Sequence, residues 1–230
     1  MPTWSLSSDF SLIHNPSSVW SFGPKPAGYQ VTGMFSLFTH LDPEPTDYSE
    51  IVAWFWSDTE PNTDILTMFT ANGVAMHPGN DGRFSVVRFT APKDGNYVLD
   101  TTFTHIHSCA LHSGVYIVYN NLTLWEIGLA GPGDSKSFKT TDSITVRANE
   151  PIDFIVGVGL DNSFACDMTL ARVDIHLLEN QIELLDQSDL YWVLFLLLFY
   201  FVSITDIVGI DRTVMLVMRL SDKCKLLNLR

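Results

Sequence analysis

Turn-forming clusters punctuate residues 15 to 168 at short intervals: Asn15-Pro16, Gly23-Pro24, Asp81-Gly82, Pro92-Lys93-Asp94-Gly95, Gly131-Pro132-Gly133-Asp134 and Asn149-Glu150-Pro151. Gly and Asn supply left-handed backbone and Pro fixes φ, so the chain reverses at these points. The intervening runs are rich in Val, Ile, Phe, Tyr and Thr, which suit a pleated, half-buried surface. Strands are predicted at Phe84–Thr90, Asn96–His105, Gly114–Asn120, Leu122–Ile127, Lys136–Arg147, Ile152–Gly159 and Thr169–Leu177. The first ninety residues are less regular, with strands expected at Gln30–Phe38, Ile51–Ser57 and Ile65–Phe69. Seven short strands separated by Gly and Pro turns point to an all-β, antiparallel β-sandwich. Alternation sets Tyr97, Leu99, Thr101, Phe103 and His105 on one face and Val98, Thr102 and Thr104 on the other. Ile152, Phe154, Val156 and Val158 share a face and form the stronger core set.

A second feature is a seam near Leu190. Residues 1–189 carry 8 Lys and Arg against 23 Asp and Glu, net −15, whereas residues 190–230 carry 5 against 3, net +2. About 190 residues are ample for one sandwich domain, placed here at 1–178. Residues 179–189 read as an acidic linker or stalk, 190–210 as a transmembrane segment and 211–230 as a basic tail. A bilayer core needs about 20 apolar residues. Leu190–Thr205 supplies 16, and 21 are reached only by including Asp206–Ile210. Arg212, Arg219, Lys223, Lys225 and Arg230 favour a cytoplasmic C-terminus with the domain exported. The N-terminus MPTWSLSSDFSL has neither a basic region nor an apolar stretch, which by itself predicts a protein that is not exported. The other readings are translated intron or frameshifted sequence, a tail anchor that leaves the domain in the cytosol, and, for 190–205, a buried helix or strand pair of the globular part.

The acidic balance opposes nucleic acid, since phosphate binding needs clustered Lys and Arg and the eight in 1–189 are scattered singly. Three cysteines, Cys109, Cys166 and Cys224, without a CxxC pair exclude a zinc ribbon. GxSxG, GxGxxG, HExxH and the phosphate-binding Gly loop are all missing, so no enzyme activity is expected.

The segments Asp9-Phe10, Asn15-Pro16, Val19-Trp20-Ser21-Phe22-Gly23, His77-Pro78-Gly79, Val87-Arg88-Phe89-Thr90-Ala91-Pro92, Gly95-Asn96-Tyr97 and Ile152–Gly159 follow one another in a telling order. Together they resemble a non-catalytic jelly-roll module of secreted bacterial proteins, many of which carry C-terminal PEP-type sorting signals. The resemblance covers roughly residues 9 to 177. It implies a jelly roll shaped like carbohydrate-binding modules or C1q and TNF-like sandwiches, and an extracytoplasmic binding or structural role with no catalytic set. The chain departs from that pattern in lacking a signal peptide, in lacking Pro-Glu-Pro before the apolar run, and in carrying Asp211–Arg230 after it.

Successive antiparallel links change ends, which gathers His107, Cys109, His112, Asp161, Asn162, Phe164, Cys166 and Asp167 at one rim. Cys109 and Cys166 either form a disulfide there, as an oxidising compartment allows, or remain two thiols. Asp161, Asn162 and Asp167 offer oxygens to Ca²⁺ or to sugar hydroxyls, and Asp and Asn also simply make turns. Trp54, Trp56 and Trp125 are read as stacking surfaces for sugar rings, with core packing as the alternative. His105 and His107 would share a strand face, with His112 returning from the turn to complete a metal site. His77, beside Pro78-Gly79, reads as a turn residue. Asn121-Leu122-Thr123 fits a glycosylation acceptor usable only in a eukaryotic secretory route. The expected function is a non-catalytic, surface-exposed domain that binds carbohydrate or protein. The alternatives are an oligomeric structural sandwich and a metal-dependent enzyme built on the histidines.

Overall fold

The alternation in the sequence resolves into two antiparallel sheets in a computed structural model, which describes residues 2–26, 33–42, 53–55, 65–68, 73–79, 82–109 and 112–178. The segments 179–189, 190–210 and 211–230, and with them the expected linker, membrane span and basic tail, lie outside the described residues. Among the described residues no helix is long and apolar enough to cross a membrane.

The elements run β1 (Thr3–Ser5), α1 (Leu6–Asp9), β2 (Trp20–Pro26), β3 (His40–Asp42), β4 (Ala53–Phe55), β5 (Ile65–Met68), β6 (Val74–His77) and β7 (Arg83–Thr90). They continue β8 (Gly95–His105), β9 (Ser113–Tyr119), β10 (Leu122–Leu129), β11 (Ser135–Lys139), β12 (Ile144–Val146), β13 (Pro151–Val158) and β14 (Thr169–Leu178). The larger sheet is ordered β11-β8-β14-β6-β5-β4-β3, with β1 joined to β14 and β12 to β8; the five-stranded sheet is β10-β9-β13-β7-β2. From β7 onward the chain passes back and forth between the sheets, and this strand order is that of a jelly roll.

The seven expected strands are present, with one correction. The run predicted as a single strand from Lys136 to Arg147 is two, β11 and β12, which pair with successive parts of β8. Residues 140–143 leave the ladder, and Thr140 turns its hydroxyl back to accept the Leu99 N–H at 3.1 Å. The strand expected at Gln30–Phe38 is also not observed over its described part, residues 33–38. There the chain runs antiparallel beside β2, with backbone hydrogen bonds from Ser36 N–H to Pro24 O and from Phe38 N–H to Phe22 O. Gly23 permits that approach, because a Cβ at this position would overlap the Ser36 carbonyl oxygen. The Asn15 side chain completes the edge, donating to the carbonyls of Phe22 at 2.7 Å and Phe38 at 2.9 Å and accepting the Phe22 N–H.

Between the sheets, Tyr97, Leu99 and Phe103 of β8 and Val173, Ile175 and Leu177 of β14 meet Phe22, Phe89, Ile117, Ile152, Phe154 and Val156 of the smaller sheet. Both alternating sets therefore face the core, with Val158 at the end of β13 excepted. Trp20 packs edge-on against Phe89 at 5.4 Å and lies 6.4 Å from Phe154. Its indole N–H is satisfied by the Asp9 carboxylate at 3.3 Å.

The outer face of the smaller sheet is buried too. Phe84, Val86, Val118 and Ile155 form a second cluster under Phe35 and Tyr116, and Val158 packs there rather than with the main core. Inside this cover Asp153 accepts two hydrogen bonds from Arg88, at 2.7 and 3.0 Å, and pairs with Lys25. The Arg88 guanidinium stacks over Phe35 at 4.1 Å. Lys25 and Asp153 are each 3 % exposed, so removing the carboxylate leaves an ammonium group buried without its counter-charge. Asp153→Ala is predicted to lose about 3–5 kcal/mol of unfolding free energy in a urea titration. Lys139→Ala, which breaks a solvent-exposed pair with Asp100, is predicted to lose less than about 1 kcal/mol.

Candidate functional site

One end of the sandwich gathers most of the chain's chemically capable side chains, because antiparallel pairing brings four connections together there. β6 ends at His77 and β8 ends at His105, on either side of the start of β14, where Met76 and His105 both face Thr169. β9 begins at Ser113, which lies opposite both Val158 of β13 and Leu129 of β10. Backbone hydrogen bonds tie the connections to one another: Gly133 N–H to His105 O, His105 N–H to Asp134 O, and Ile106 N–H to Met168 O.

Cys109, after β8, is joined to Cys166, before β14, by a disulfide with Cα atoms 6.0 Å apart. It staples the two longest connections of this rim. The 159–168 connection is further organised from within. Asp161 accepts the N–H of His112 at 3.0 Å and of Ser163 at 3.1 Å, and the Ser163 hydroxyl accepts the Ala165 N–H at 3.2 Å. Burial alone would raise the Asp161 carboxyl, but these N–H groups outweigh it and hold the pKa below the ordinary value. Asn162, at φ 53°, adopts the left-handed conformation that Asn tolerates better than most residues. On this fixed loop Leu160 is 90 % and Phe164 39 % exposed.

The histidines are arranged differently from the sequence-based expectation. His105 is the last residue of β8 and points into the core, wholly buried, beneath the rim. His107 does not share its strand face, because β8 has already ended and the chain bends after Ile106. His112 is turned toward Asp161, its Nδ1 3.7 Å from the carboxylate, and is not part of a three-histidine set. His107 instead accepts the Cys109 N–H at Nδ1, which lies 2.8 Å from the Cys109 sulfur.

His77, read from the sequence as a turn residue, is buried at the end of β6 with Nδ1 2.7 Å from the Pro78 carbonyl oxygen. Burial, added to the charges of His107 and His105, lowers its pKa to about 4 against the favourable Pro78 contact. Burial and His107 also push His105 down. Backbone groups of His107 and Cys166 lie beside the His105 ring, yet neither ring nitrogen has a well-formed hydrogen bond.

Asp167 is wholly buried, which removes it from the exposed oxygens expected to meet Ca²⁺ or sugar. Both carboxylate oxygens lack a well-formed hydrogen bond, with the buried Ser113 hydroxyl beside them. Burial, reinforced by Asp161, raises its pKa from 3.8 to about 8.

The aromatic platforms are also corrected. Trp54 is 7 % exposed, packed in the main core with its indole N–H donated to the Ser11 carbonyl at 2.9 Å, so it offers no face to a ligand. Trp125 is half-buried, stacked on Phe103 at 6.1 Å and tilted against Phe138 at 5.7 Å. Trp56 lies outside the described residues. Asn121 occupies the exposed two-residue turn between β9 and β10, where Asn120 and Asn121 are both left-handed, at φ 53° and 61°. Sequence reasoning missed His77 and Ser113; each is locally unremarkable, and only pairing across strands brings it to this end.

No protein-family model matches the sequence, and no curated protein does. Solved structures give slight likenesses. A family 35 carbohydrate-binding module from Clostridium thermocellum is 11 % identical with a TM-score of 0.35, covering 50 % of this chain and 89 % of that one. The N-terminal cellulose-binding domain of a Cellulomonas fimi β-1,4-glucanase is 14 % identical with a TM-score of 0.31, covering 53 % and 92 %. A C-terminal family 6 module of a Zobellia galactanivorans laminarinase is 12 % identical with a TM-score of 0.30, covering 50 % and 88 %. These likenesses are too slight to carry a ligand or a site across.

The two buried titrating groups predict a pH profile. Between pH 3.8 and about 8 folded Asp167 keeps a proton that the unfolded chain has released, so stability falls as pH rises across that window. His77 acts oppositely: from pH 6.5 down to about 4 the unfolded ring takes up a proton that the folded ring refuses, so stability falls as pH falls. In thermal melts from pH 4 to 9 the two effects oppose each other between about pH 4 and 6.5 and leave a decline from pH 6.5 to about 8; Asp167→Asn is predicted to remove that decline and to unmask the loss of stability below pH 6.5. An unchanged decline between pH 6.5 and about 8 in the variant would assign it to another group.

Proposed function

We propose that this chain is a non-catalytic, exported binding domain whose disulfide-closed rim recognises carbohydrate. The observation that carries the reading is the 159–168 connection. It is held by the Cys109–Cys166 disulfide and by the hydrogen bonds of Asp161 and Ser163, yet it leaves Phe164 and Leu160 exposed beside Asn162. A sugar ring has an apolar face and a polar edge. Phe164 offers the stacking surface, and the Asn162 amide offers both a donor and an acceptor for paired hydroxyls. Because the loop is fixed before any ligand arrives, little ordering entropy is lost on binding.

Export is supported by the disulfide, which persists in oxidising compartments. The run 190–210 followed by five basic residues supports retention at a membrane, with the domain on the outer side.

The test is a panel of α- and β-linked oligosaccharides probed with the full-length oxidised chain, followed by titration calorimetry on the best ligand. Phe164→Ala is expected to weaken binding about tenfold, the equivalent of roughly 1.4 kcal/mol. Asn162→Ala is expected to weaken it without changing the melting temperature by more than a few degrees. Binding indifferent to both substitutions would move the site elsewhere. A folded protein that binds no glycan would leave Leu160 and Phe164 as a protein contact.

A further inference from the structure

The rim holds a second set of donors that carbohydrate recognition does not use. One ligand atom each from His107, Cys109 and Cys166 lies within 4.8 Å of the others, all in partly buried positions. The His107 Nδ1 lies 2.8 Å from the Cys109 sulfur.

We propose that reduction of the Cys109–Cys166 disulfide converts this end of the sandwich into a thiolate–imidazole site for Zn²⁺, with Cys109, Cys166 and His107 as ligands and water in the fourth position. Two thiolates and one imidazole with an open fourth position are a donor set suited to a borderline-soft, tetrahedral ion. The two sulfurs come from connections 57 positions apart in sequence, so the ion would replace the covalent staple and hold the same two loops together. The balance is simple. A dithiol reductant passes two electrons and two protons to the disulfide and leaves as its own disulfide. Metal binding then displaces the two thiol protons to solvent, and two thiolates neutralise the dication. While the disulfide is intact its sulfurs are not thiolates, and the site does not exist. Redox state thereby selects between two closures of one rim.

The test uses the full chain with Cys224→Ser, so that every thiol belongs to this pair. Oxidised and anaerobically reduced samples are titrated with Co²⁺, read by thiolate-to-cobalt charge-transfer absorption, and with Zn²⁺ against a chromogenic chelator. The expected result is one equivalent bound by the reduced sample and none with thiolate absorption in the oxidised one. His107→Gln is expected to weaken binding at least tenfold, and Cys109→Ser with Cys166→Ser to abolish it. The near-UV circular dichroism of each sample reports whether the core is intact. A reduced, folded protein that shows no thiolate–cobalt band overturns the proposal. So does a His107→Gln variant that binds as tightly as the parent, or a reduced chain that loses its near-UV signal and does not regain it with Zn²⁺.

Discussion

The contact on which the molecule depends is the packing of Trp20, from β2 at the edge of the smaller sheet, against Phe89 and Phe154 in the space between the sheets. Phe89 in turn meets Tyr97 of the opposing sheet at 5.8 Å, so one run of aromatic rings crosses the core. A two-sheet sandwich has little to hold it except the apolar area removed from water between its layers. Large rings supply that area with few rotatable bonds and fix the spacing of the layers. The polar ends of these rings are provided for: Asp9 receives the Trp20 indole, and the Lys93 carbonyl receives the Tyr97 hydroxyl. With the layers fixed, the loop ends occupy fixed positions.

How much of this was legible in the sequence depends on whether the determining interaction is local. The period-2 alternation of Tyr97, Leu99, Phe103 and His105 is a property of one strand, and it gave the core face of β8 correctly. The gathering of the loops around Cys109 and Cys166 was legible from parity, since antiparallel links alternate ends whatever their side chains. By contrast, Ile155 lies on the face of β13 opposite Phe154 and still is buried, because Phe35 and its neighbours cover it from a distant part of the chain. No pattern within residues 151–158 signals such a cover. The Lys25–Asp153–Arg88 group was missed for the same reason: Lys25 and Asp153 are lone charges on their strands, Arg88 follows Arg83 on β7, and only the register of β2, β7 and β13 brings the three together. The predicted strand Asn96–His105 already ends at His105; placing His107 on the same face carried the period-2 pattern past that end, where the chain bends.

The rim combines features that bear on each other. The exposed side chains Leu160 and Phe164 stand on a loop whose far end is a cysteine of the staple, while the buried Asp167 and His105 flank that staple from below. Asp167 kept protonated and His77 kept neutral are compatible with a dry interior at this end, and each resists acquiring charge. Such an arrangement costs stability, through Asp167 as pH rises from 3.8 to about 8 and through His77 as pH falls from 6.5 to about 4. In return the exposed loop is supported by a rigid base, which is what a recognition surface of few residues requires.

The central claim is that the staple prepares the exposed loop for its ligand. Its most direct test is the affinity of one full-chain preparation for one oligosaccharide before and after reduction of Cys109–Cys166, with a chelator present throughout. The account predicts that reduction weakens binding at least tenfold while the near-UV signal of the aromatic core is retained, and that reoxidation restores it. Equal affinity in the two states would contradict it.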